Sequence, residues 1–104
     1  MAATRKPDVD EIVKALAHPA RREILTWLKT PEKAFVKQHH PFSMGVCASM
    51  IFQKSTLSQS TVSAHLATLQ KAGLITSKKV GQWIFFARNG AVIERFLERM
   101  QTEL

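Results

Sequence analysis

From Lys33 to Ile93 the chain carries no Asp and no Glu, and it has no tyrosine anywhere. Acid–base catalysis needs paired carboxylates or a nucleophile with its base, and phosphate chemistry needs a Gly-rich loop. Carboxylates are absent from the middle of the chain and there is no Gly-rich phosphate loop, so catalysis is not expected. A single cysteine, Cys47, rules out an internal disulfide and fits a reducing cytoplasm. No segment approaches the roughly 18 consecutive apolar residues of a membrane span. The basic start, Met1 to Asp8, has no apolar run behind it and does not read as a secretory signal, so no membrane partner is expected.

What the acid-free segment does carry is positive charge: Lys33, Lys37, Lys54, Lys71, Lys78, Lys79 and Arg88. The other eight basic residues balance all eight acidic ones, so the net charge of +7 resides in this middle stretch. A phosphate-binding surface needs local charge of that kind. At 104 residues the chain reads as one domain, 1–104, able to bury a modest core and to gain from a partner subunit.

The stretch from Thr56 to Ala72 organises the rest. Ser58 is a good N-cap, Gln59 to Ala72 has no Gly or Pro, and Gly73 stands where a helix ends on a left-handed residue. The spacing predicts a helix of about four turns. Val62, Leu66 and Leu69 fall on one stripe, while Ser60, Ser63, Ala64, Ala67 and Lys71 project from the other side. An ordinary solvated face carries Glu and Lys pairs, whereas a helix entering a DNA major groove needs short side chains that reach base edges and phosphates.

Before it, Pro7-Asp8 opens a first helix with Val9, Ile12, Val13 and Leu16 on one face. Pro19 starts a second, to about Lys29, with Ile24, Leu25 and Leu28 inward and Arg21 and Arg22 outward, where a solvated surface is the ordinary reading. A long loop, 31–43, follows, and Met44 to Phe52 resumes a helical pattern. This helix, a turn at Gln53 to Ser55 and the next helix form a helix-turn-helix. After Gly73 come two runs of strand formers, Ile75 to Val80 and Trp83 to Arg88, joined by Gly81-Gln82, a β-hairpin turn. Trp83, Phe85 and Phe86 read as core under the helices, and Lys78, Lys79 and Gln82 as backbone or minor-groove contacts. A last helix from about Ala91 shows a broad apolar face of Val92, Ile93, Phe96, Leu97, Met100 and Leu104. The class is mainly α with a small β-hairpin, in the order α-α-α-α-β-β-α.

That order is a winged helix. The segments Ala15-Leu16-Ala17-His18-Pro19-Ala20-Arg21-Arg22-Glu23-Ile24-Leu25, Leu57 to Leu66 with Leu69, Ala72, Gly73 and Leu74, and Lys79 to Phe86 together resemble the ArsR/SmtB family of small homodimeric bacterial repressors. The resemblance spans Ile12 to about Met100. It implies a cytoplasmic bacterial protein that dimerises through its first and last helices, through Val9, Ile12, Val13, Leu16, Ile93, Phe96, Leu97 and Met100. It further implies recognition helices in successive major grooves of a near-palindromic duplex operator, and release by an effector. Gln59, Ser60 and Ser63 match positions that touch bases or nearby backbone. Ser58, Thr61, Ala64, His65, Lys71, Lys78, Lys79 and Gln82 complete the expected DNA face. Ala64 stands where relatives often have a larger polar residue, which implies weaker base reading or contact with a thymine methyl alone. His65 lies at the rim of the buried face, where it reads equally as a DNA contact or a structural residue.

The family's paired-cysteine and terminal-helix metal sites are absent by residue type, so no cofactor is expected. A weaker transition-metal alternative joins His39, His40 and Cys47. Cys47 reads either as a small buried apolar residue or as a redox or electrophile sensor near a helix start. An organic effector is the other candidate signal. The rival function class is a winged helix for protein or RNA, which predicts acidic or apolar residues on the exposed helix face or stacking aromatics exposed on the wing.

Overall fold

The computed structural model describes residues 8–36, 38 and 40–104. In chain order it holds α1 (Val9–Leu16), α2 (Pro19–Lys29), a one-turn α3 (Pro31–Ala34), a 3-10 turn (Phe42–Met44), β1 (Val46–Cys47), α4 (Ala48–Lys54), α5 (Gln59–Lys71), β2 (Ile75–Val80), β3 (Trp83–Arg88) and α6 (Gly90–Glu103).

Local chemistry sets the helix starts. Asp8 caps α1 by accepting from the Glu11 amide at 3.1 Å. His18 caps α2 through ring Nδ1, which accepts from the Ala20 amide at 3.1 Å, and Pro19 occupies the first position, where no amide is needed. Arg21 and Arg22 are not merely solvated. Arg21 Nε donates to the Ala15 carbonyl at 2.7 Å, and Arg22 Nη1 to the Leu16 carbonyl at 2.7 Å. They satisfy the last carbonyls of α1, which would otherwise lack partners.

The segment from Met44 to Cys47 departs from the helical expectation. Gly45 takes φ 100 and ψ −175, which breaks any helix there. Val46 and Cys47 then pair antiparallel with Phe86 and Phe85. The Gln38 side chain braces the other edge of β1, donating to the Gly45 carbonyl at 2.9 Å and accepting from the Cys47 amide at 3.0 Å. The expected hairpin is therefore a three-stranded sheet in the order β1-β3-β2, and the helix expected from Met44 starts at Ala48. The expected α-α-α-α-β-β-α becomes α-α-α-β-α-α-β-β-α, the extra helix being α3 within the 31–43 connection.

The core gathers Ile12 and Ala15 of α1, Ile24 and Leu28 of α2, Ile51 of α4, and Val62, Leu66 and Leu69 of α5. Val92, Ile93 and Phe96 of α6 close it. Each such burial contributes about 2 kcal/mol, so the apolar stripe of α5 alone anchors that helix firmly. Phe85 is fully buried and Phe86 half-buried, as core aromatics should be. Trp83 is not core: it is 41% exposed, because it closes the hairpin opposite Val80, beyond the reach of the helices.

Candidate nucleic-acid interface

Helix α5 follows α4 after a four-residue turn, in which Ser55 Oγ accepts from the Leu57 amide at 3.0 Å. Ser58 Oγ accepts from the Thr61 amide at 3.3 Å and lies 2.8 Å from Thr61 Oγ1 and 3.3 Å from Ser60 Oγ. Three hydroxyls are thus collected around the positive end of a 13-residue helix, a setting suited to phosphate oxygens. Gln59, Ser60, Thr61, Ser63, Ala64, Ala67, Gln70 and Lys71 are all exposed, and none is acidic. Gly73, at φ 83, ends the helix as expected.

The strand register sorts the wing residues by face. Directly opposed residues share a side of the sheet, and sides alternate along a strand. Ser77 opposes Phe86 and Lys79 opposes Ile84, so these four share one face. That face looks toward α5: Gln70 Nε2 donates to Ser77 Oγ at 2.9 Å, and Ile84 and Phe86 line a groove with Gln59, Ser63 and Ala67. Lys79 therefore belongs to the α5 side. Lys78, opposite Phe85, and Trp83 belong to the other face, where the His40 ring packs 5.7 Å from Trp83 and 5.0 Å from Phe85. Gly81, at φ 60, makes the turn and leaves Gln82 exposed at the tip. Gln70, which ties the wing to the helix, was not singled out from sequence. Its only signal there is an uncharged side chain in the last turn, seven residues before a strand serine.

His65 departs from the expected DNA face. It is 8% exposed, with Nδ1 3.2 Å from Arg21 Nη1 and its ring 4.4 Å from that of His18. Guanidinium only donates, so Nδ1 accepts and the imidazole is neutral. Burial first, and then the electrostatics of the neighbouring His18 and Arg21, hold its pKa below the usual 6.5. The folded state binds its proton less readily than the unfolded chain does. The stabilising contribution of neutral His65 is therefore complete above about pH 6.5 and is lost as the pH falls from there toward the folded pKa. Urea midpoints should accordingly drop between pH 7.5 and pH 5.5, and His65→Asn, which keeps an acceptor for Arg21 but cannot titrate, should show a visibly smaller drop. An equal drop in both proteins would detach the acid sensitivity from this residue.

Charge is unevenly distributed among the elements, although Asp8, Asp10 and Glu11 line a cavity with Thr68 and Lys71 of α5. The acidic residues Asp10, Glu11, Glu23, Glu32, Glu94, Glu98 and Glu103 lie on α1, α2, α3 and α6, with Asp8 capping α1, while α5 and the hairpin have none. Lys54 is exposed, with its Nζ 5.4 Å from the Trp27 ring and 5.8 Å from Phe35. On α1 and α6, Val13 is 50% and Leu97 56% exposed, and Val9, Leu16 and Met100 are half-buried. Of the remaining residues read as a dimer surface, Ile12 is wholly inside the chain's own core, and Ile93 and Phe96 nearly so.

Cys47 is buried in β1, its Sγ 3.4 Å from Ser49 Oγ. Of the weaker metal set, His39 lies outside the described residues, and among the described residues no group of three or more His, Cys, Asp or Glu is arranged to hold an ion. Among those residues, too, no helix is long and apolar enough to cross a membrane.

Comparison with known proteins converges on one kind of molecule. The model of the bacterial regulatory protein arsR family matches residues 47–77, from β1 through α4 and α5 into β2. The uncharacterized HTH-type transcriptional regulator YbzH of Bacillus subtilis (strain 168) is 36% identical over 97 residues, covering 90% of this chain and 96% of YbzH. The transcriptional activator HlyU of Vibrio cholerae is 30% identical over 87 residues, covering 84% of this chain and 68% of HlyU. Among solved structures, an ArsR-like transcriptional regulator from Rhodococcus sp. RHA1 superposes with a TM-score of 0.64 at 29% identity, over 91% of this chain and 80% of that one.

Proposed function

Because the chain belongs to the arsR family of bacterial regulatory proteins and is a DNA-binding transcriptional regulator rather than an enzyme, we propose that it acts as a homodimeric repressor released from its operator by an effector. The observation that carries this reading is the exposed, acid-free face of α5, with Gln59, Ser60 and Ser63 beside the wing residue Lys79 on the same side. Gln59 and Ser63 read base edges, while Ser58, Ser60, Thr61, Lys71 and Lys79 hold phosphates, with Gln82 and Lys78 at the wing's tip and far face. Ala64 offers a methyl to thymine. Val13 and Leu97, exposed on α1 and α6, supply the apolar centre of the subunit contact, with Val9, Leu16 and Met100 around it. The two α5 helices of such a dimer enter major grooves about one helical turn apart.

The rival classes fit less well. Trp83 is the wing's exposed aromatic, but it lies on the face turned away from α5, which disfavours base stacking beside the helix. Burial of Cys47 supports a core role over a sensor role.

Fluorescence anisotropy on duplex DNA from the gene's own promoter, combined with sedimentation equilibrium, tests the reading. The expected result is one dimer per near-palindromic site of about 20 base pairs. A monomer on a single half-site would sink the dimeric reading, and equal affinity for unrelated DNA would sink operator recognition. Lys79→Ala should weaken binding to all sequences alike, by several-fold at moderate salt, and flatten the salt dependence by about one counterion per subunit. A changed base preference instead would mean that the wing reads sequence.

A further inference from the structure

A cleft that shares no lining residue with α5 opens between the end of α2, the Phe42–Met44 turn, β3 and the first residue of α6, with a cavity volume of about 280 Å³. Leu28, Phe42, Val46 and Phe86 give it apolar walls, Lys29 and Arg88 supply two cations, and no acidic residue lines it. Among the described residues neither cationic side chain has a hydrogen-bond or ion-pair partner, unlike Arg21, Arg22 and Arg99, whose donors are engaged. Arg88 Nη1 lies 3.8 Å from where a Cβ on Gly90 would stand, at the positive end of the 14-residue α6. The far wall is preformed, because Gln38 holds Gly45 and Cys47 in place. A concavity of a few hundred Å³ with apolar sides and a few convergent polar groups is the usual form of a small-molecule site. Two unengaged cations with no carboxylate nearby select an anion.

We infer that this cleft is an effector site for a small aromatic carboxylate, its carboxylate held between Lys29 and Arg88 and its ring against Phe42 and Phe86. Lys29 and Arg88 also edge the neighbouring apolar cleft formed by Leu16, Leu25, Ile93, Phe96 and Leu97. A ligand that draws these two cations inward therefore acts on β3, which is a wing strand, and on α6 together. That is the differential contact a ligand needs in order to shift a regulator between states. Binding stands on the cleft alone, whereas its consequence for DNA rests on the regulator reading above.

The test titrates 15N-labelled protein with benzoate, phenylacetate and indole-3-acetate, with benzamide as the neutral control. The amides of Ser43, Gly45 and Gly90 should shift saturably with at least one carboxylate below about 10 mM, and not with benzamide. The double variant Lys29→Gln, Arg88→Gln, whose unliganded spectrum reports that it is folded, should bind at least about tenfold more weakly. No saturable response to any of the three acids, or an equal response to benzamide, overturns the site. In anisotropy titrations the acid that binds should change the Kd for promoter DNA about fivefold or more in wild type and not in the double variant. An unchanged Kd despite saturated amide shifts overturns the effector role. Unliganded protein that binds no promoter DNA is a failure of the regulator reading, and the amide titration then decides the site by itself.

Discussion

Ser63→Glu should lower operator affinity by at least about 100-fold while leaving the protein folded. Ser63 is exposed on α5, one turn in from the cap, and lines the groove between that helix and the wing with Gln59 and Gln70. A glutamate there loses whatever the hydroxyl contacts and brings a carboxylate against phosphates and base acceptors. Each lost base contact costs about 1–3 kcal/mol, and a dimer suffers the change twice. The substitution favours the helix itself, since Glu has the better helix propensity. Anisotropy for binding and thermal melting for folding check the two halves. Operator affinity that survives in a folded variant would remove α5 from the groove.

Gly45→Ala should be the most damaging small substitution in the chain. The backbone at φ 100 and ψ −175 lies in a region that only glycine occupies readily, and a Cβ there would stand 2.8 Å from the Phe86 carbonyl oxygen. Backbone strain and the clash together should cost about 3 kcal/mol or more, seen as a fall in Tm of about 15 °C for a domain of this size. Gly81→Ala is the control. Gly81 also has positive φ, at 60, but no atom lies within 4 Å of the added methyl, so about 1 kcal/mol of backbone strain is the whole expected effect. Equal losses at the two positions would show that packing against Phe86 contributes nothing.

The two glycines also mark what local sequence does and does not reveal. Helix α5 was legible because its signals are contiguous: a serine cap, an unbroken helical run, a stripe of Val62, Leu66 and Leu69, and a terminal glycine. The hairpin was legible for the same reason, its turn lying between two runs of strand formers. Strand β1 was not. Met-Gly-Val-Cys reads equally well as the start of a helix, and it becomes a strand only because Phe85 and Phe86, far along the chain, offer a free edge while Gln38 occupies the other. The exposed face of α5 was legible as a composition, small and without acid, whereas His65 stood open between that face and the core and is buried. Helical periodicity put that residue at the rim of the buried stripe and carried no sign that Arg21 and His18, from a different helix, close over the imidazole. Trp83 shows the converse error: aromatic character argued for burial, but its place beside the turn put it beyond the helices.

The segregation of charge bears on how the protein reaches its target. With no carboxylate on α4, α5 or the three-stranded sheet, and with the acids of the other elements balanced by basic residues outside the 33–93 segment, the net charge of +7 is concentrated in that segment. In the field of a polyanion such a body experiences a torque before any contact forms, and it is turned with its acid-free segment toward the polyanion during diffusional encounter. Fewer collisions are wasted on wrong orientations, and the association rate gains at low ionic strength what counterions remove at high. The absence of acid from α5 and the hairpin thus aids the approach to DNA before any contact, by favouring the orientations in which binding can succeed.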